Sequence, residues 1–146
     1  MIAAQHGHAD TCDELLRAGA DMRRLAVDGA CSALRFAAEN GHVAVVTLLG
    51  QHSNKYGLGQ LDQLFGTTTA LCGAARYGEL DVVRELLSLR AGVDVVNGRG
   101  QTPLMLSAMQ GHTDIVRTLL DANANVRTPH AFITACTRRP SLACER

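Results

Sequence analysis

The chain has 146 residues, which fits a single domain, and 47% of them are hydrophobic, enough for a packed core. Only 3% are aromatic and there is no Trp, a composition that suits closely packed short helices better than a thick sandwich or barrel. The 14 basic and 14 acidic residues balance and are spread along the chain, so the sequence shows no electrostatic footprint for nucleic acid or an anionic membrane.

The five cysteines are an odd number and include no Cys-x-x-Cys pair. They therefore imply neither a disulfide framework nor a zinc site, and a reducing compartment is the simplest setting. The N-terminus lacks the basic-then-apolar layout of a signal peptide, and no apolar run approaches the ~18 residues of a membrane span. We expect a cytoplasmic or nuclear protein without membrane insertion.

One pattern occurs four times along the chain, and its turn glycines are Gly7, Gly41, Gly78 and Gly111. An alanine precedes each glycine by three residues, and in three copies a pair of leucines follows it by eight and nine residues. The second copy has its pair one residue early, with Gly50 in the ninth place. This spacing predicts four helical hairpins, each with an apolar side that only stacking on its neighbours can bury.

The first copy, residues 1–22, begins directly inside its first predicted helix and carries Thr11 and Cys12 where other copies have Val or Ile. It buries less apolar area and is predicted to be the weakest copy. The abrupt start favours a fragment or variant of a longer protein.

The second copy, residues 29–54, runs into an insertion at 52–66 that contains Leu58, Leu61, Leu64 and Phe65. We interpret the insertion as a loop pinned to the stack by these side chains, with a partner-binding finger as the alternative.

The third copy, residues 66–97, places Leu89 and Arg90 before Ala91, which predicts a slightly longer second helix. Residues 97–100 supply a tight hairpin turn before the fourth copy, residues 100–127. There Thr102 can cap a helix that Pro103 begins, since the missing N–H of proline costs nothing at that position. Gly111 and Asn123 are predicted to end the two helices in the left-handed conformation.

The fourth copy resembles an ankyrin repeat. Residues that match the pattern of that family are Gly100, Thr102, Pro103, Leu104, Ala108, Gly111, His112, Val116, Leu119, Leu120, Ala124 and Val126, and those that depart are Met105 for His, Ser107 for Ala and Asn123 for Gly. The resemblance implies an all-α solenoid of stacked helix-turn-helix units with β-hairpin-like finger turns over residues 1–127. It also implies a scaffold or adaptor whose partner is another protein, with no cofactor and no small-molecule substrate.

In the ankyrin family, partners are bound by the finger tips and by first-helix residues on the concave groove, including the two residues before each turn glycine. Carried over to this chain, the resemblance gives these partner-binding candidates: Glu39, Asn40, Arg76, Tyr77, Arg99, Met105, Met109 and Gln110. The same positions in the first copy are Gln5 and His6, and Arg35 and Cys72 occupy the place of Met105 in the second and third copies.

The sequence favours no enzyme activity, no catalytic residue and no metal or cofactor site. His6 and His8 flank Gly7, but no third ligand is near them in sequence, and a structural role is favoured because three copies have a histidine at the place of His8. No phosphate-binding glycine loop and no nucleophile with its base is present. The alternative is that the repeats are a regulatory or truncated segment of a larger enzyme or channel.

After Val126 the pattern stops, and residues 128–146 are predicted to be a mobile C-terminal tail. The alternative is a short helix over residues 131–137 that caps the last repeat. Ser141 follows two arginines in the run Arg-Arg-Pro-Ser, which makes it a candidate phosphorylation site.

Overall fold

A computed structural model of the protein describes residues 1–21, 32–55, 61–62 and 68–127. Over these residues the chain forms eight α-helices in four consecutive pairs and no β-strand. The helices are α1 (Ile2–Gln5), α2 (Ala9–Arg17), α3 (Ala33–Glu39), α4 (Val43–Lys55), α5 (Ala70–Tyr77), α6 (Leu80–Ser88), α7 (Pro103–Gln110) and α8 (Thr113–Asp121). The predicted all-α architecture of four helical hairpins is confirmed.

The hairpins stack so that two rows of helices run side by side. The first helices of the hairpins pack on one another in the order α1, α3, α5, α7, and the second helices in the order α2, α4, α6, α8. Between the rows lies one continuous apolar core, whose most buried large side chains include Leu34, Leu71, Leu86, Ile115 and Leu119. Each hairpin therefore buries its apolar side against the next, as the repeat pattern requires.

The first helices of the second, third and fourth hairpins begin with the same device. The hydroxyl oxygens of Ser32, Thr69 and Thr102 accept hydrogen bonds from backbone N–H groups three residues later, each at 3.2 Å. These caps satisfy helix donors that would otherwise be buried without a partner. The predicted helix start at Thr102 and Pro103 is confirmed.

The predicted helix ends in the fourth hairpin are also confirmed. Gly111 ends α7 in the left-handed conformation at φ 79°, and Asn123 follows α8 with φ 64°. These residues let the chain reverse direction within one turn.

The structure corrects the register of the third copy. Arg90 has φ 70° and occupies the place that Asn123 occupies in the fourth copy, so Leu89 and Arg90 are the end of the hairpin and not an extension of its helix. Helix α6 has nine residues, the same as α8, and the prediction of a longer helix there was wrong. The long second helix is α4, whose 13 residues run into the insertion at 52–66.

Two described residues of that insertion pack against the stack. Leu61 is buried in the core, and an oxygen of Asp62 accepts a hydrogen bond from the backbone N–H of Gly92 at 2.7 Å. These contacts agree with a loop that an apolar side chain pins to the repeats. Leu58, Leu64 and Phe65 lie outside the described residues, as do the C-terminal residues 128–146 and Ser141.

The paired leucines differ in their burial. Leu119 is fully buried, whereas its neighbour Leu120 is 42% exposed. Eight residues after the turn glycine the second and third hairpins place Leu49 and Leu86, and both are buried. The equivalent Leu15 is 47% exposed and borders an apolar hollow of about 280 Å³ between α1, α2 and the second hairpin. In the second, third and fourth hairpins, core burial therefore belongs to one leucine of the pair, and the first hairpin is the exception.

Candidate functional site

A polar cleft lies where the chain between α6 and α7 passes over the ends of α3 and α5. We call the turn of residues 97–101 the finger turn and the cleft beside it the finger cleft. The residues that line the finger cleft are Arg35, Glu39, Thr68, Gly73, Arg76, Tyr77, Asn97, Arg99, Gln101 and Leu106. The cleft thus combines two first helices with a turn that precedes the fourth hairpin.

The finger turn is held closed by one side chain. The amide oxygen of Asn97 accepts hydrogen bonds from the backbone N–H groups of Arg99 and Gln101, each at 2.9 Å. The backbone N–H of Asn97 also donates to the carbonyl oxygen of Gln101 at 2.9 Å, and its side-chain amide donates to the Gln101 side chain at 3.0 Å. These bonds close a predicted tight turn without a β-strand on either side, and they leave Arg99 exposed at its tip.

The finger turn is also fixed to the helices beneath it. The side-chain amide of Gln101 donates to the sulfur of Met109 at 3.5 Å. The Cys72 thiol lies 3.6 Å from the carbonyl oxygen of Val95 and 3.8 Å from that of Gln101, and burial raises the pKa of this thiol. A thiol is a weak donor to such oxygens, and Cys72, which is fully buried, packs beneath the finger turn.

An ion pair forms one wall of the finger cleft. The guanidinium of Arg35 donates from Nε to Glu39 at 2.7 Å, and the two side chains are only 17% and 13% exposed. Gly73 of α5 lies against this pair, since a Cβ added there would come within 2.8 Å of Glu39 Cγ. The absence of a side chain at Gly73 therefore allows α3 and α5 to approach closely at the cleft.

The opposite edge of the cleft is formed by the last two residues of α5. Arg76 is exposed, and its Cζ lies 5.7 Å from the centre of the Tyr77 ring, within the range of a cation–π contact. Tyr77 is 55% exposed, so most of its ring is open to solvent. An exposed aromatic side chain next to an arginine is a composition typical of binding hot spots.

The structure brings half of the predicted partner-binding residues together. Glu39, Arg76, Tyr77 and Arg99 all line the finger cleft. Asn40 and Gln110 are exposed and Met109 is half-buried, but none of the three lines the cleft.

Met105 differs from the prediction, because it is only 2% exposed and offers no surface for a partner. Burial of an apolar side chain is favourable, so Met105 is withdrawn from solvent at this place. Cys72, at the same place in the third hairpin, is fully buried.

Asn97 was predicted as a turn residue but not as part of a binding site, and Gln101 was not predicted at all. Asn97 and Gln101 shape the finger turn and line the cleft with Arg99. Their signal was an Asn four residues before a Gln, with glycines at 98 and 100 between them. Asn side chains bond to their own backbone two residues on, which is how Asn97 holds this turn.

A scan against protein-family models matches the model described as ankyrin repeats, in three copies, over residues 1–95 and again over residues 52–130. The two matches together span most of the chain, and they agree with the observed stack of helical hairpins. The chain belongs to the ankyrin-repeat family.

Curated relatives match this chain over 60 to 72 residues. The "Probable E3 ubiquitin-protein ligase XBOS31" of Oryza sativa subsp. japonica is 48% identical over 60 residues, which are 41% of this chain and 14% of the relative. The ankyrin repeat-containing protein ITN1 of Arabidopsis thaliana is 48% identical over 60 residues, 40% of this chain and 10% of the relative. A Colobus guereza protein named for ankyrin repeat, SAM and basic leucine zipper domains is 36% identical over 72 residues, 47% of this chain and 15% of the relative. This ankyrin-repeat chain therefore corresponds to a small part of the relatives it matches.

Histidines link neighbouring repeats next to the groove. His42 Nε2 lies 2.8 Å from the carbonyl oxygen of Gln5, and His112 Nε2 lies 3.2 Å from that of Arg76. A carbonyl oxygen can only accept, so each ring donates from Nε2. The predicted structural role is confirmed for His42 and His112 and stays a prediction for His8, and the bond from His112 fixes the backbone of Arg76 at the cleft.

The third repeat lacks this link because Glu79 stands where the other repeats have histidine. We expect Glu79→His to place a ring donor near the backbone carbonyl of Glu39 and to raise the free energy of unfolding by about 0.5–1.5 kcal/mol, the value of one net hydrogen bond. Urea unfolding followed by circular dichroism measures the change. Glu79→Gln is the control for loss of the charge, and equal stabilities of the His and Gln variants would contradict the expectation.

Among the described residues no three His, Cys, Asp or Glu side chains are grouped so that they could hold a metal ion. None of the described helices is long and apolar enough to cross a membrane.

Proposed function

We propose that this ankyrin-repeat chain is a protein-interaction scaffold or adaptor that binds its partner at the finger cleft and along the adjoining groove. Ankyrin repeats are generally protein-interaction modules. The main observation in support of the proposal is that the cleft is already ordered in the absence of a partner. Asn97 closes the finger turn, the Arg35–Glu39 pair fixes one wall, and the His112 bond holds the backbone at Arg76. A surface that is ordered in advance loses little conformational entropy on binding, so less of the free energy of its contacts is offset.

Tyr77 and Arg76 are the residues from which we expect most of the binding energy. Both are exposed, and tyrosine and arginine are enriched among residues whose truncation costs more than about 2 kcal/mol of binding energy. The doubly substituted Arg76→Glu, Tyr77→Ala chain is expected to lose captured partners in a quantitative pull-down from cell lysate, by more than about tenfold. Its helix content is expected to stay unchanged because neither side chain is part of the core.

A matched control lies on the outer row of helices. Arg117→Glu with Leu120→Ala makes the same charge reversal and a similar apolar truncation on α8, away from the cleft. Partners retained by this control and lost by the cleft variant support the proposal. Equal capture by the natural chain and the cleft variant, at equal helix content, would remove the finger cleft as the binding site.

The other predicted partner-binding residues, Asn40, Met109 and Gln110, extend the proposed surface along the groove beyond the cleft. Cys12 and Cys72 are both free thiols in the described residues, which suits the reducing cytoplasm or nucleus that we propose as the location.

A second proposal is that the repeats are the partner-binding segment of a longer enzyme. It rests on the relative named as an E3 ubiquitin-protein ligase, of which the matched repeats are only 14%. An antibody against the finger turn, used for immunoprecipitation from the source cells, would recover either a chain of this length or a longer one. Peptides beyond Arg146 that carry a catalytic domain would establish this proposal, and recovery of the 146-residue chain alone would reject it.

A further inference from the structure

We infer that the finger cleft binds an acidic side chain, an aspartate or glutamate carboxylate on an exposed segment of the partner protein, between Arg76 and Arg99. The inference rests on the proposed function and names the chemistry of its partner. The lining of the cleft contains three arginines and one glutamate, so its charge is positive although the whole chain is neutral.

The single acidic side chain of the cleft is already engaged. Glu39 pairs with Arg35 at 2.7 Å in a half-buried geometry that holds both side chains against the wall. Within the described residues, no carboxylate pairs with Arg76 or Arg99, so two arginine charges of the cleft face solvent. Positive groups gathered in a concave, partly apolar site raise the local concentration of negatively charged partners.

The outer row of helices shows the contrast. Its arginines each pair with an acid one turn away on the same helix: Arg17 with Asp13, Arg84 with Asp81 and Arg117 with Asp114. Each of these pairs places a negative charge beside the arginine, so the outer row has no local excess of positive charge at these arginines. In contrast, Arg76 of α5 and Arg99 of the finger turn have no acidic partner among the described residues, and both line the cleft.

Both arginines are carried by backbone that other contacts fix. Arg99 is at the tip of a turn whose backbone is fixed by Asn97, and Arg76 is on a helix end fixed by His112. A guanidinium presents planar donors that match the two oxygens of a carboxylate, and charge-assisted bonds of this kind are among the strongest in proteins. Tyr77 beside them offers an apolar face to the residue that neighbours the acid in the partner.

The size and charge of the cleft favour a carboxylate over other anions. The cleft encloses about 70 Å³, well below the ~300–1,000 Å³ of small-molecule sites, so it suits one side chain. The carboxylate of Glu39 in the wall disfavours a doubly charged phosphate group. The neutral chain also shows no basic stripe of the kind that follows a nucleic-acid backbone.

A short randomised peptide library displayed on phage tests the inference with the intact chain. The natural chain is expected to enrich peptides that contain Asp or Glu beside an apolar residue. The Arg76→Glu, Arg99→Glu variant is expected to lose these peptides and to enrich peptides with Lys or Arg instead. Circular dichroism confirms first that both chains have the same helix content, and Arg84→Glu with Arg117→Glu is the control for the same change of net charge on the outer helices.

An enriched acidic peptide then serves as the defined probe. Its affinity is expected to fall about tenfold or more when its acid is replaced by the matching amide, since one charge-assisted contact is lost. The affinity is also expected to weaken with added salt, which screens charges exposed at the rim.

The outcomes separate this inference from the proposed function. Enriched neutral or basic peptides that Tyr77→Ala removes would overturn the acidic partner while keeping the cleft as a binding site. Acidic peptides that bind the double arginine variant equally well would also overturn it. If no peptide is enriched, or if no enriched peptide depends on any cleft residue, both the inference and the cleft assignment are contradicted.

Discussion

Replacing Leu119 with Ala is expected to lower the free energy of unfolding by about 2–5 kcal/mol. Leu119 is fully buried, with 0% of its surface accessible to solvent, and it packs in the core between the two rows of helices. Removing its side-chain atoms forfeits their burial and leaves a cavity that the stacked repeats can only partly close. Because small domains are stable by only about 5–15 kcal/mol, the loss should be visible as a large shift of the urea midpoint.

The neighbouring residue provides the control. Leu120→Ala makes the same chemical change on the same helix, but Leu120 is 42% exposed, so we expect a loss below about 1 kcal/mol. Any effect of helix propensity is common to the two variants and cancels in the comparison. Equal losses for the two variants would show that the burial described for α8 is wrong.

Replacing Gly78 with Ala is expected to be the second largest effect, because it combines backbone strain with a steric conflict. Gly78 has φ 89°, a left-handed conformation that costs a residue with a Cβ about 1–2 kcal/mol. A Cβ at this position would also lie 2.8 Å from Cε1 of His112, so the ring has to move. Moving it weakens the bond to the carbonyl of Arg76, which adds about 0.5–1.5 kcal/mol.

Gly111→Ala separates these two contributions. Gly111 has nearly the same backbone, φ 79°, but an added Cβ would meet no atom within 4 Å. The difference in unfolding free energy between the two variants therefore measures the contact with His112 alone. A Gly78 variant no less stable than the Gly111 variant would mean that His112 does not link the third and fourth repeats.

These stability predictions bear on binding because the same contacts shape the finger cleft. The ring of His112 both packs over Gly78 and bonds to the residue that presents Arg76. A change at Gly78 should therefore disturb the cleft as well as the junction between repeats. Rigid presentation of Arg76 and Arg99 depends on the stack, which is how the fold produces the proposed activity.

Some features could be predicted from the sequence because they depend on residues close together in the chain. The hydroxyl of Thr102, just before Pro103, caps a helix, and Gly111 or Asn123 at a helix end reverses the chain. Both effects are independent of residues far away in the sequence. The repeated spacing of Gly, Ala and Leu then implied that the hairpins stack, and the resemblance of the fourth copy to an ankyrin repeat implied the all-α solenoid. Arg90 shows where such reasoning fails, since an arginine in the left-handed conformation carries no signal of its place.

Only the tertiary structure decided which side chains face a neighbour and which face solvent. It buried Leu119 and exposed Leu120, and it placed Met105 inside the stack although the family pattern implied a surface position. It also brought Glu39 of α3, Arg76 of α5 and the finger turn into one cleft. Local sequence sets the backbone of each repeat, but burial and charge pairing depend on residues some thirty positions away, which only the packing of one repeat on the next brings together.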